Sequence, residues 1–212
     1  MSSSLSLEDM QRAGFPMGGE PIVALDLADT LAAETEPGNG DLLASPERNA
    51  TWWSLELPRL PNSVAPDLVP TRRLRSAIRD LLEAHLDDRE PAPASLEEVN
   101  AVAAAVPTSP RLEAHEDWEA HTRWHGEHGG NIALAAIARE TIELFADPAR
   151  LARLRRCANP DCTMLFLATN RRRQWCAGNV CGNRVRVARH YQRTHEQHRT
   201  HDQHRNPEQQ AG

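Results

Sequence analysis

Apolar side chains recur every three or four positions along several stretches of the chain, which is the spacing of one face of an α-helix. The clearest stretch is 71-TRRLRSAIRDLLEAHLDD-88. Its apolar stripe consists of Leu74, Ala77, Ile78, Leu81, Leu82 and Leu86. A second long helix is predicted over 131-NIALAAIARETIELFA-146. These patterns indicate a body that is built mainly from packed helices.

Local capping signals set the starts of shorter helices. A serine–proline pair at 45–46 predicts a helix with proline at its first position, ending before Pro58. In 95-SLEEVNAVAAAV-106, Ser95 and Glu98 match a capping box. An aspartate–proline pair at 147–148 predicts one more helix, which leads toward the first cysteine.

Three other segments carry weaker patterns. The apolar run 21-PIVALDLADTLA-32 fits a short buried strand that turns into a helix, although periodicity alone does not separate strand from helix there. Partial alternation in 111-RLEAHEDWEAHTRWHG-126 predicts a small hairpin. Residues 1–19 are expected to form a flexible lead-in. The predicted fold class is mainly α with a small β component, in a body over residues 20–146.

The last segment repeats itself as 194-THEQHR-199 and 200-THDQHR-205. Such a polar, low-complexity sequence cannot build a core, so a disordered or frayed-helical tail is expected over residues 195–212. Weak metal binding by its imidazoles is the alternative. The imidazoles belong to His195, His198, His201 and His204.

The net charge of −6 hides an asymmetry along the chain. Residues 1–150 carry a net −14 and residues 151–212 a net +8, with arginine as the sole basic type because lysine is absent. A basic end on an acidic body points to a polyanionic partner, or to attraction between the two halves or between copies. The N-terminus lacks a signal-peptide pattern and no stretch of about 18 apolar residues exists, so a cytoplasmic protein with no membrane partner is expected.

All four cysteines fall within 25 positions, in the pattern Cys-x4-Cys-x13-Cys-x4-Cys. They are Cys157, Cys162, Cys176 and Cys181. Two close thiolate pairs separated by a hairpin-length spacer suit the tetrahedral coordination of Zn²⁺, and a site with four protein ligands has no open position for catalysis. The sequence therefore predicts one structural zinc ion, with four ordinary buried thiols as the alternative.

The residues around the cysteines predict a treble-clef-like finger over 147–194, consisting of a knuckle, a hairpin and a helix. The spacer 163-TMLFLATNRRRQW-175 reads as a hairpin with a basic return strand, packed on the site by Trp175. Asn179 is expected to cap a helix whose first turn places Cys181 where the helix dipole lowers the thiol pKa. Because such a finger has little core, Cys176→Ser is expected to unfold it and to spare the body.

The stretch 157-CANPDCTMLFLATNRRRQWCAGNVCGNRVRVARHYQR-193 resembles the CGNR zinc-finger proteins of bacteria. Upstream, ALDLADT, DLLASPE, LRSAIRDLLEAHL and SLEEVNAVAAA are similar to the ABATE domain that precedes this finger in that family. The resemblance implies stress-induced transcription regulation, with DNA bound by the finger. The chain has Ala168 where the family often has aspartate, which puts details of the hairpin turn in doubt.

Two arginine groups are the candidate nucleic-acid contacts. Arg171, Arg172 and Arg173 precede the third cysteine, and Arg184, Arg186, Arg189 and Arg193 follow the fourth. On a helix, positions 186, 189 and 193 share one face, and guanidinium groups suit phosphate oxygens and guanine edges. DNA is the expected partner, and RNA is disfavoured by the shortage of stacking aromatics. The alternative is a protein-interaction module that docks an acidic partner, including the body of another copy.

No sequence motif of an enzyme is present, so a non-enzymatic protein is expected. The one catalytic-looking group of residues is His115, His121, His125 and His128. A polar hairpin and loop account for it more simply than a metal or catalytic site. Nearby, Trp118 and Trp124 could line a pocket for a small-molecule effector in the body, and homodimerisation of the body is a further open prediction.

Overall fold

The computed structural model describes residues 5–16, 18–31, 40–61, 63–114, 118–187 and 191. The helices are α1 Leu7–Arg12, α2 Val23–Ala28, α3 Pro46–Glu56, α4 Leu68–Leu86, α5 Pro93–Ala104, α6 Ile132–Ala146 and α7 Pro148–Leu151. The strands are β1 Thr108–Ala114, β2 Trp118–Trp124, β3 Leu154–Arg156 and β4 Leu165–Leu167. Single 3₁₀ turns cover Leu57–Arg59 and Gly126–His128, and a π-helical turn, Gly178–Gly182, leads into an α-helical stretch over 183–187. The predicted fold class is confirmed.

The two long helices, α4 and α6, form as their apolar patterns predict, and both contribute buried side chains to the core. Along α4 the stripe residues Leu74, Ile78 and Leu82 are buried, and α5 and α6 pack beside it. The paired rings of Trp52 and Trp53 from α3 are fully buried in the same core. The part of the chain that the structure describes contains no helix long and apolar enough to cross a membrane.

Two of the three capping signals predicted upstream of the cysteines, at Ser45 and Asp147, are confirmed, and Asn131 caps α6 in addition. Ser45, Asn131 and Asp147 each accept a hydrogen bond from a backbone N–H in the first turn of α3, α6 and α7. The capping box at Ser95 is wrong, because α5 already begins at Pro93 and Ser95 lies inside its first turn. Glu98 pairs instead with Arg73 of α4.

The N-terminal segment is part of the folded structure, so the predicted flexible lead-in is wrong for residues 5–16. Ser6 caps α1 in a capping box with Asp9, and Met10 and Phe15 are buried in the body core. The guanidinium of Arg48 lies 4.3 Å from the centre of the Phe15 ring and covers it from solvent. Residues this far apart in the chain give no local signal for such packing.

The run after Pro21 forms α2 rather than a strand. All six residues of α2 are buried, including Asp26, because α4 and α6 pack around this short helix. A helix that is enclosed on all sides shows a continuous apolar run instead of a stripe, which explains the ambiguity of the pattern.

The hairpin predicted within 111–126 is confirmed, as β1 and β2 pair antiparallel with Thr108 opposite Trp124 and Arg111 opposite His121. It is largely exposed. Trp118 is 73% exposed and therefore lines no enclosed pocket with Trp124.

The hairpin of the finger pairs differently from the prediction. Strand β4 pairs antiparallel with β3, upstream of Cys157, and the arginines at 171–173 form a turn instead of a return strand. Side chains alternate across a strand, so Leu165 and Leu167 enter the body core while Phe166 packs in a second cluster around the cysteines. Strand β4 thus packs in both the body core and the cysteine cluster, so Cys176→Ser is now expected to destabilise the body as well.

Candidate metal centre

The four cysteines converge, and all four Sγ atoms lie within 4.8 Å of one another. Cys176 Sγ lies 3.7 Å from Cys162 Sγ and 3.6 Å from Cys181 Sγ. A tetrahedron of sulfur atoms at about 2.3 Å from Zn²⁺ has edges of about 3.8 Å, so the observed spacing fits this ion. The predicted ligand set and the single structural zinc site agree with this geometry.

The first cysteine pair is held by the β3–β4 hairpin. Cys157 ends the hairpin's hydrogen-bonded ladder, with its N–H donating to Met164 O at 3.0 Å, and Cys162 N–H donates to Asn159 O at 3.0 Å in the loop between the strands. Ala158 N–H donates to Gln174 O at 2.9 Å and ties this loop to the segment before the third cysteine. These backbone hydrogen bonds thus position both thiols.

The second pair is held by the π-helical turn. Cys181 N–H donates to Ala177 O at 3.0 Å, so Cys181 lies in the first turn as predicted. The predicted Asn179 cap is wrong, because the N-cap position is Ala177 and no side chain caps the turn. Asn179 Nδ2 instead donates to Gln11 Oε1 in α1 at 3.3 Å.

The electrostatics of the cluster favour a bound cation. Burial raises the pKa of the Cys181 thiol to about 11, so the predicted lowering by the helix dipole is overridden. A hydrogen bond with Cys176 lowers the pKa of Cys162 to about 5 and raises that of Cys176. Four close thiols cannot all ionise because the thiolates would repel one another. A bound divalent cation offsets this repulsion and so favours loss of the thiol protons.

A polar neighbour of the thiols was missed from the sequence. Asn159 is buried, and its Nδ2 lies 3.7 Å from Cys181 Sγ as a donor. Such a donor stabilises a thiolate and orients it toward a metal. Asn183, two positions after Cys181, donates to Asn179 O at 2.9 Å.

Trp175 packs against the finger as predicted. A Cβ atom on Gly182 would lie 3.2 Å from Trp175 Cδ1, so glycine at this position admits the indole ring. This contact joins the turn that carries Arg171 and Arg172 to the helical segment that carries Arg184.

Body carboxylates complete the free edge of β4. Its N–H groups alternate in direction, and those of Leu165 and Leu167 point away from β3. Leu165 N–H donates to Asp29 Oδ1 at 2.9 Å, and Leu167 N–H donates to Glu20 Oε2 at 3.1 Å. Arg79 donates to both Asp29 and the carbonyl oxygen of Thr163. We call Glu20, Asp29 and Arg79 the clamp.

Arg173 belongs to this junction and not to the open surface. Its guanidinium donates to Glu20 and to the carbonyl oxygens of Leu167 and Cys176, and it stacks on Phe166 at 4.4 Å. These contacts occupy the group that the sequence suggested for nucleic acid. The prediction for this residue therefore needs correction, because its side chain anchors the finger to the body.

The other candidate arginines differ in their surroundings. Arg171, Arg172 and Arg184 are exposed, and no residue in the described part of the chain bonds to their guanidinium groups. Arg186 is exposed but donates to Gly182 O and to Asn183 Oδ1 within its own helix. The two remaining candidates, Arg189 and Arg193, lie outside the described residues, as does the histidine-rich tail.

The histidines of the hairpin separate into two places. His121 lies near Glu113 on the strands, while His125 and His128 stack in the turn after β2 with ring centres 6.0 Å apart. His115 lies outside the described residues.

The body also contains an apolar cavity of about 340 Å³ between α4, α5 and α6. Leu81, Val99 and Phe145 line it, together with Arg89 from the segment that follows α4. Its lining comes from three helices, so no local pattern in the sequence announces it.

The helical body is followed by four clustered thiols, and this arrangement defines a zinc-finger protein with a structural metal site. Residues 23–148 match the family model ABATE, described as "Putative stress-induced transcription regulator", and residues 153–194 match the CGNR zinc finger. The first match covers more than half of the chain, so the chain belongs to the ABATE family and carries a C-terminal CGNR zinc finger. No curated protein matches it significantly.

Proposed function

We propose that this protein is a zinc-dependent, DNA-binding transcription regulator that responds to stress, acts in the cytoplasm and has no catalytic activity. The observation that carries the proposal is the set of exposed, unpartnered arginines on the finger, at positions 171, 172 and 184 of the described chain. Between residues 157 and 194 the sequence contains one acidic residue, Asp161, against seven arginines. The finger therefore carries an excess of positive charge, of which Arg173 alone is paired with Glu20 among the described arginines at 171–173 and 184.

Phosphate groups are the expected first contacts. The arginine turn is ordered by Asn170, whose Oδ1 accepts from the N–H groups of Arg172 and Arg173 at 2.9 and 3.1 Å. An ordered turn loses less conformational freedom on binding, and guanidinium groups form charge-assisted, bidentate bonds with phosphate oxygens.

The helix after Cys181 supplies the second half of the surface. Arg184 is free for phosphate, and Arg186 forms exposed bonds with which a phosphate can compete. Arg189 and Arg193 complete the proposed contact set. A helix lined in this way suits the major groove, as in other zinc modules.

The body is proposed to sense or to dimerise. The apolar cavity between α4, α5 and α6 is the place for a small-molecule effector, since it is large enough for a small ligand and lined by apolar side chains. An effector there would act through α4, because Arg79 of α4 holds the finger at Thr163.

The test is fluorescence anisotropy of the zinc-loaded protein with pooled fragments of its own genome, titrated across salt. We expect tight binding whose logarithm falls with the logarithm of salt by about 0.9 per phosphate contact. Joint substitution of Arg171, Arg172 and Arg184 by alanine should flatten the slope by about 2.7 if each binds one phosphate. Arg123→Ala, an exposed arginine of β2, is the matched control and should change nothing.

A protein-interaction module is the second candidate, and one observation favours it. The finger already docks on acidic groups, although these belong to its own body: Glu20 pairs with Arg173 and Asp29 accepts from Leu165. An intact zinc-loaded protein that binds no DNA at low salt would refute the first proposal. Salt-insensitive capture of an acidic protein would then support the second.

A further inference from the structure

A second group of metal-ligating side chains lies in the turn between β2 and α6. It comprises His125, Glu127 and His128, around the 3₁₀ turn Gly126–His128. We propose that this turn binds a divalent transition-metal ion through the two imidazoles and the carboxylate. The site is separate from the four cysteines and does not depend on DNA binding.

The ligand atoms lie near one another, and one pair already has coordination spacing. One atom from each residue lies within 4.8 Å of the others. His125 Nδ1 lies 3.1 Å from Glu127 Oε1. Two atoms bound at about 2.0–2.1 Å to one ion are separated by about 3 Å when they occupy adjacent positions, so this pair needs little movement.

Ser109 prepares the imidazole of His125 for this role. Ser109 Oγ lies 2.8 Å from His125 Nε2 and can accept a hydrogen bond from Nε2–H. Binding of an ion at Nδ1 requires the tautomer with the proton on Nε2, where Ser109 Oγ can accept it, in place of the tautomer whose Nδ1–H donates to Glu127 Oε1. Metal-bound histidines usually donate their second N–H to such a partner, which fixes the ring.

The backbone fixes the turn itself. His125 N–H donates to Pro107 O at 2.9 Å, and His128 N–H donates to His125 O at 3.3 Å. The chain then reverses through Gly129 and Gly130, whose φ angles of 105° and 77° favour glycine. The turn between β2 and α6 is therefore held at both ends, so the two histidines stay adjacent.

The donor set determines the class of ion. Two imidazole nitrogens and one carboxylate oxygen suit Zn²⁺, Ni²⁺ and Cu²⁺ better than the hard ions Mg²⁺ and Ca²⁺. Glu127 and His128 are exposed, so the site keeps open positions for water. An ion there exchanges with solvent, in contrast to the buried ion of the four thiols.

The test is calorimetric titration of the full chain with Ni²⁺ after the cysteine site has been filled with zinc. The four tail histidines are first changed to glutamine, so that they cannot contribute. We expect one further equivalent of nickel. His125→Gln and His128→Gln should each abolish it, while His121→Gln, an exposed histidine of β2, should leave it intact.

Ser109→Ala provides a second readout. It removes no metal ligand, and loss of such an outer partner weakens metal binding by about 10–100-fold. Absence of the further equivalent would overturn the proposal. So would nickel binding that persists in His125→Gln and His128→Gln. Circular dichroism and retention of the cysteine-bound zinc establish that each variant is folded.

Discussion

Within the clamp of Glu20, Asp29 and Arg79, we expect the buried carboxylate of Asp29 to stabilise both the finger and the body. Asp29 is 3% exposed and accepts from Leu165 N–H at 2.9 Å and from Arg79 Nη1 at 3.2 Å. Asp29→Ala removes the acceptor of both hydrogen bonds. The variant should therefore lower the free energy of unfolding of the whole chain.

The size of this loss in free energy depends on which groups lose their acceptor when Asp29 is removed. An orphaned buried N–H costs about 1–3 kcal/mol, and breaking a buried ion pair costs about 3–5 kcal/mol. Arg79 keeps Glu83, at 2.6 Å, so the second cost is reduced. Burial also raises the pKa of Asp29 well above its ordinary value, and its removal relieves that desolvation. We expect a net loss of about 2–4 kcal/mol.

The chain offers a matched control at the same junction. Asp87 accepts both guanidinium nitrogens of Arg156 at 2.8 and 2.9 Å, but the two side chains are 47% and 41% exposed. Exposed ion pairs contribute about 0–1 kcal/mol to stability. Asp87→Ala should therefore lower the free energy of unfolding less than Asp29→Ala does, although both carboxylates link the body to the finger.

The assay is urea unfolding with two probes. Tryptophan fluorescence reports mainly on the body, which holds four of the five tryptophans, and a coloured chelator reports zinc release from the finger. Both midpoints should fall together, by about 1 M or more. The reasoning is refuted if Asp29→Ala costs no more than Asp87→Ala, or if zinc release shifts while tryptophan fluorescence does not.

Three further predictions concern Arg173, Glu56 and Gly182. Arg173→Ala should lower the free energy of unfolding in urea by about 3 kcal/mol, because the buried Glu20 loses its cationic partner. Arg171→Ala should lower it by less than about 0.5 kcal/mol. Burial raises the pKa of Glu56 to about 8, so between about pH 4 and 8 the folded chain keeps a proton that the unfolded chain releases. The free energy of unfolding should therefore fall as pH rises from about 4 to about 8, and Glu56→Gln should flatten this dependence; an unchanged slope would contradict it. Gly182→Ala should speed zinc release to a chelator, because its Cβ would lie 3.2 Å from the Trp175 ring, while Gly178→Ala, where a Cβ meets nothing, is the control.

Much of the fold could be predicted because its signals are local. A cap such as Ser45 acts on an N–H three residues away, and the stripe of α4 repeats with the period of the helix itself. The zinc site could be predicted for a similar reason, since the four ligands lie within a short stretch and thiolates are the preferred donors for this ion.

The parts that could not be predicted depend on contacts between distant residues. Asp29 and Leu165 are 136 positions apart, and Glu20 and Leu167 are 147 apart. No periodicity links such residues, so the clamp, the burial of Phe15 and the role of Arg173 were all missed. The wrong return strand has the same origin, because β4 finds its partner upstream of the knuckle rather than downstream.

Strand β4 connects the metal to the body through three residues. Phe166 packs among the cysteines, while Leu165 and Leu167 fill the body core and donate to Asp29 and Glu20. A closely packed strand cannot move one face without the other, so the geometry around the zinc ion and the packing of the body are energetically linked. Such coupling is reciprocal: a ligand of the body that tightens zinc binding by some factor is itself bound more tightly, by the same factor, when zinc is present, and loss of zinc weakens the body. In a regulator of the proposed kind, this link would let a change in the body reach the DNA-binding arginines without a flexible hinge.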